Sequence, residues 1–116
     1  MPTAKSMQLG KDGEHRAAQD YETTGFVVLQ RNVLTPFGEL DLIVARGEDV
    51  RIVEVKTRSS AAFGAEHSVN QQKFRRMKRA AAWWMRRHNI YSVSFDVVAI
   101  TAGNIQRFEG VDRGAC

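Results

Sequence analysis

The chain has 116 residues, 43% of them hydrophobic and 26% charged, with a formal net charge of +4, which supports one domain with a modest core and excludes two. No run approaches the ~18 apolar residues of a membrane span, and the opening "MPTAKSMQLGKDG" lacks the apolar stretch of a signal peptide, so the expected location is the cytoplasm with no membrane partner. The single cysteine, Cys116, is the last residue and excludes an internal disulfide or a thiolate zinc cluster.

Residues 1–12 read as a flexible leader. "GEHRAAQDYETT" (13–24) sets Ala17, Ala18 and Tyr21 at helical spacing and predicts a short helix. "GFVVLQRN" (25–32), rich in β-branched residues, predicts a strand. "TPFG" supplies turn chemistry. "ELDLIVA" (39–45) and "VRIVEVKT" (50–57) then predict two antiparallel strands joined at "RGED". A loop with Ser59, Ser60, Gly64 and Glu66 leads into a long helix from about Val69 to His88. Its residues Phe74, Met77, Ala81, Trp84 and His88 recur on one face. "SVSFDVVAIT" (92–101) and "NIQRFE" (104–109) predict two final strands around a turn at Ala102-Gly103, and 109–116 reads as a flexible tail. The folded unit is a single domain over 13–108. Its order, α-β-β-β-α-β-β, predicts an α/β fold with a mixed sheet flanked by helices.

Charge is concentrated on the second helix. Between Val69 and His88 lie seven basic residues, Lys73, Arg75, Arg76, Lys78, Arg79, Arg86 and Arg87, and no acidic one, while the rest of the chain sums to −3. A basic stripe on an acidic body suits a polyanion such as nucleic acid, although a solvated helix face carries the same pattern. Trp83 follows Arg76 and Arg79 on the outer face, where it could stack on a base or pack in a dimer; Trp84 is expected in the core.

"RIVEVKTRSS" (51–60) raises a chemical question, because Glu54 and Lys56 interrupt a strand of valines. Strand parity sets Val53 and Val55 on one side and Ile52, Glu54 and Lys56 on the other. On the preceding strand it sets Leu40, Leu42 and Val44 on one side and Glu39, Asp41 and Ile43 on the other. If the two strands pair, Asp41, Glu54 and Lys56 converge. Neighbouring carboxylates are what Mg²⁺ or Mn²⁺ takes, with waters and substrate phosphate completing the octahedron. A lysine beside the ion would hold water and stabilise charge developing on phosphorus. Glu14 stands on the helical face of Ala17, Ala18 and Tyr21, either completing such a site or resting as an early-turn acid favoured by the helix dipole. An acid-x-Lys triplet arises by chance about once in a chain of this size, so only its context distinguishes it.

That context resembles the PD-(D/E)xK nuclease superfamily and its restriction-endonuclease-like core. The strings "GEHRAAQDY", "GFVVLQRN", "GELDLIVA", "VRIVEVKTR", "VNQQKFRR" and "FDVVAI" further resemble the small bacterial YraN-like family of endonuclease-like proteins, related in fold to archaeal Holliday-junction resolvases. The resemblance covers about residues 13–101. It implies Asp41 and Glu54 as metal ligands, Lys56 as the catalytic lysine, and Glu14 as the helix acid that completes the site. Val69, Lys73 and Arg76 match the start of the second helix, and Asp96 the acid of the fourth strand. Leu34 departs from the pattern, which has arginine there.

His15, His67 and His88 are scattered without ligand spacing, and neither a P-loop nor a dinucleotide fingerprint is present. The expected function is therefore a Mg²⁺- or Mn²⁺-dependent endonuclease that hydrolyses DNA, with branched or junction DNA as the implied partner. Lys73, Arg76, Arg79, Arg86 and Arg87 would track phosphates. A symmetric junction would require a homodimer. The alternatives are a non-catalytic nucleic-acid-binding module with the same fold and, behind it, a subunit of a larger assembly anchored by Trp83.

Overall fold

Small residues on one side of a helix let its backbone lie close to a sheet, and the first helix, α1 (Ala4–Thr23), uses Gly13, Ala17 and Ala18 in this way. In this computed structural model the backbone is described for residues 4–58 and 71–112, and side chains for 11–57 and 71–112. The loop expected at Ser59, Ser60, Gly64 and Glu66, together with His67, Val69 and Cys116, lies outside the described residues. α1 begins at Ala4, well before the residue 13 expected from spacing, so 4–12 continue the helix. A Cβ placed on Gly13 would stand 2.0 Å from Thr57 Oγ1, so glycine sets how closely α1 meets the sheet.

Five strands follow the expected order: β1 (Val27–Thr35), β2 (Gly38–Arg46), β3 (Asp49–Arg58), β4 (Ser94–Thr101) and β5 (Asn104–Phe108). α2 (Gln71–His88) lies between β3 and β4 in sequence. The sheet runs β1-β2-β3-β4-β5, antiparallel except for the β3–β4 pair. The fold is α/β, with a mixed sheet carrying one helix on each face. A parallel pair needs a crossover, and α2 supplies it.

Each face has its own core. On one side Ala17, Ala18, Tyr21 and Phe26 pack on Leu42, Val44, Val53, Val98 and Ile100. On the other, Met77, Ala80, Ala81 and Trp84 pack on Leu40, Ile43, Ala45, Ile52 and Phe95. Burying the Val, Leu, Ile, Phe and Met side chains among these contributes about 1.5–3 kcal/mol each. Trp84 behaves as expected and also donates from Nε1 to Gln30 Oε1 at 2.6 Å. Its neighbour Trp83 is only half-buried, packed at the rim of this core with the Arg87 guanidinium 4.3 Å above its ring. His88 is exposed, stacked on Trp84 with ring centres 4.4 Å apart.

A charged joint closes the end of the sheet where β4 begins. Asp96 is fully buried and accepts from Tyr21 Oη (2.5 Å), Arg51 Nη1 (3.1 Å) and the Gly110 amide (3.0 Å). Three donors meet the need of a buried carboxylate. Arg51 also pairs with Asp49 and Glu109, and the Val111 amide donates to Phe95 O. Residues 109–112, expected to begin a loose tail, are thus tied to the sheet. Among the described residues no helix is long and apolar enough to cross a membrane.

Candidate active site

The site forms where β2 and β3 part. Their pairing runs from Arg46–Asp49 to Leu42–Val53 and goes no further, although β2 stays paired to β1 and β3 to β4. Asp41 turns its side chain into this opening. Its Oδ2 accepts the Val55 N–H at 2.9 Å, taking the place of a β2 carbonyl. Strand parity had put Leu40 with Leu42 and Val44. Leu40 instead packs with Ile43 on the α2 side, because the chain is irregular where Asp41 enters the seam.

Glu54 and Lys56 point to the α2 side, as alternation requires. The Glu54 carboxyl meets that of Asp41, and Lys73 Nζ of α2 stands 3.7 Å from Glu54 Oε1. Burial raises the Glu54 pKa to about 8, reinforced by the Asp41 charge and by a hydrogen bond with Asp41. Burial also lowers the pKa of Lys56, aided by the neighbouring Lys73 ammonium. Glu14 is half-exposed on α1. Its pKa is raised, first by desolvation and then by the charges of Asp41 and Glu39. The Asn32 amide, oriented to donate, reaches Glu14 Oε1 at 3.0 Å and Glu39 Oε1 at 3.3 Å.

The structure thus gathers Asp41, Glu54, Lys56 and Lys73, and brings Glu14 towards Asp41 from the α1 side. Among the described residues, no three His, Cys, Asp or Glu side chains form a group that could hold a metal ion. Two carboxylates in contact nevertheless suit Mg²⁺, which is commonly held by one or two carboxylates with waters and substrate oxygens. The Asp41 charge is among the causes that raise the Glu54 pKa, and a cation between the two carboxyl groups would relieve that repulsion.

Arg76 lines a cavity of about 160 Å³ with Lys73, Glu54, Glu39, Phe37, Gly38, Met77 and Ala80. Arg79, Arg86 and Arg87 are exposed further along α2, the last two about 20 Å from Lys73 along the helix axis. They lie on the helix and not in the site. Asn32 was not singled out from sequence. Its signal is an asparagine inside a strand, where that residue is disfavoured, and it takes φ 51°.

The sequence profile of the uncharacterised protein family UPF0102 matches residues 13–100. The chain belongs to the UPF0102 family. A UPF0102 protein of Corynebacterium efficiens is 43% identical over 99% of both chains. Another, from Thermodesulfovibrio yellowstonii, is 40% identical over 89% of this chain and 94% of its own. A solved structure, a protein of unknown function from Silicibacter pomeroyi, is 12% identical with a TM-score of 0.42, covering 89% of this chain and 69% of that one. The span matched to UPF0102 contains Glu14, Asn32, Asp41, Glu54, Lys56, Lys73 and Arg76 and ends before Arg107 and Glu109.

Proposed function

We propose that this protein is a Mg²⁺- or Mn²⁺-dependent endonuclease that hydrolyses DNA phosphodiester bonds on a PD-(D/E)xK-type core. The observation that carries this reading is the Asp41 carboxylate turned into the β2–β3 seam against Glu54, with two lysine ammonium groups beside the pair. Partly buried acids held together at a strand parting are costly for folding, and a catalytic role accounts for that cost.

Asp41 and Glu54 hold the cation, and Glu14 supports Asp41 from α1. A bound divalent ion supplies Lewis acidity and a more acidic water. Lys56, on the same strand face as Glu54, orients the attacking water and donates to a phosphoryl oxygen as charge develops there. Lys73 and Arg76 hold phosphates beside the scissile one, and Arg79, Arg86 and Arg87 extend that track along α2.

The rival reading is a nucleic-acid-binding module that does not cut. It draws on the lack, among the described residues, of a three-ligand cluster. A cleavage assay over linear, nicked, flapped and branched DNA with Mg²⁺ or Mn²⁺, beside Glu54→Ala, separates the two. The expected result is metal-dependent cutting by the wild type that is lost in the variant, while binding survives. Binding without cutting on every substrate, or cutting unchanged in Glu54→Ala, favours the rival.

A further inference from the structure

The turn joining β1 to β2 presents an aromatic ring beside the carboxylates. Thr35 pairs with Gly38, leaving Pro36 and Phe37 as the turn. Pro36 fixes one φ by its ring. Gly38 takes φ 131°, a value that side chains resist. Thr35 Oγ1 donates to Gly38 O at 2.7 Å and accepts from the Phe37 amide at 3.0 Å. The turn is thus tied by backbone pairing and by both bonds of Thr35 Oγ1, yet Phe37 remains 41% exposed.

Phe37 lines the same cavity as Glu54, Lys73 and Arg76, and Met77 and Ala80 add further apolar lining. One small space therefore combines a flat aromatic surface, an apolar lining, two cations from α2 and the edge of the carboxylate pair. A phosphate alone gains nothing from Phe37, and an apolar ligand alone gains nothing from Lys73 and Arg76. A nucleotide uses both, with its base on the ring and its phosphate on the cations. A base inside a continuous duplex has both faces stacked and cannot lie on such a ring.

Resting on the endonuclease reading, we infer that the Phe37 cavity receives one unstacked nucleobase next to the phosphate to be cut. The substrate class is then DNA with an unpaired nucleotide at the cleavage point, as at a flap, a bulge or a branch. Phe37 determines specificity and takes no part in bond cleavage.

The test is binding in EDTA, which prevents cutting, to a continuous duplex and to the same duplex carrying one unpaired 2-aminopurine, read by fluorescence polarisation and base fluorescence. Wild-type protein is expected to bind the unpaired probe at least about tenfold more tightly. Phe37→Ala should weaken that binding by about five- to a hundredfold and leave duplex binding unchanged. Phe37 is exposed on a turn, so the core is untouched, and circular dichroism checks the fold. Equal wild-type affinity for both probes, or a preference that survives in Phe37→Ala, overturns the inference alone. A change of oligomeric state in Phe37→Ala also overturns it, because the ring would then cover a second copy of the chain. Failure of the wild type to bind either probe overturns the nucleic-acid reading and this inference with it.

Discussion

The most direct probe of the carboxylate pair is the pH dependence of folding with and without an ionisable group at Glu54. In the unfolded chain this carboxyl titrates near 4.5, whereas in the fold it keeps its proton to about 8. Between those values the native state binds more protons than the unfolded state, so stability falls as pH rises through the window and levels off above it. The gap corresponds to at most about 5 kcal/mol at 1.36 kcal/mol per pH unit. The Glu54 side chain is 11% exposed beside an open cavity, where entering water can solvate the carboxylate, so about 2–3 kcal/mol is expected. Glu54→Gln keeps the shape and a hydrogen bond to Asp41 and removes the titration. Urea denaturation of both proteins in EDTA at several values from pH 5 to 8.5 isolates this one group as the difference between two curves. That difference should shrink by about 2–3 kcal/mol as pH rises, to the disadvantage of the wild type. Mg²⁺ should restore part of the wild-type loss at pH 8.5 and leave Glu54→Gln unmoved. Parallel curves for the two proteins would refute the reasoning, because Glu54 would then titrate alike in both states.

Other substitutions probe the rest of the molecule. Asp96→Ala leaves Tyr21 Oη and the Gly110 amide without their acceptor, and chemical denaturation should show a loss of about 3 kcal/mol, while Tyr21→Phe should lose about 1 kcal/mol. Gly13→Ala should cost about 1–2 kcal/mol despite alanine's better helix propensity, since its Cβ meets Thr57 Oγ1, and Thr57→Ala should relieve most of that cost in a double-mutant cycle. Arg76→Ala with Arg79→Ala should flatten the dependence of log K for duplex DNA on log salt by about 1.8, measured by polarisation titrations at several salt concentrations. Lys56→Ala should leave Mn²⁺ affinity largely intact by calorimetry and slow single-turnover cleavage at least about a hundredfold.

The sheet and its helices were legible because hydrophobic period and turn residues agree along most of the chain. "TPFG" and "RGED" placed the first two hairpins, and parity together with the pairing of β2 and β3 set Asp41 near Glu54. Parity failed at Leu40, since alternation assumes an unbroken strand and Asp41 leaves its place to bond the Val55 amide. Asn32 was hidden for a related reason, as its role depends on a left-handed backbone inside β1. Lys73 reads from sequence as a phosphate contact on the second helix, matched by resemblance alongside Val69 and Arg76, and not as a neighbour of Glu54. Only the tertiary packing of α2 over β3 sets it apart, 3.7 Å from Glu54. The joint around Asp96 pairs residues far apart in sequence, and the binding of 109–112 to β4 follows from it.

The bond from the Val55 amide to Asp41 gives the seam a built-in reporter. Any proton or cation that draws electron density from the Asp41 carboxylate weakens its hold on that amide. Isotope-labelled protein should then show the change as a chemical-shift displacement and faster hydrogen exchange at Val55, with no substrate present. Val55 sits between Glu54 and Lys56 on one strand, so on the endonuclease reading a cation at Asp41 would be felt at both of those side chains through the backbone they share. Loading the site and aligning its lysine would then be one mechanical event.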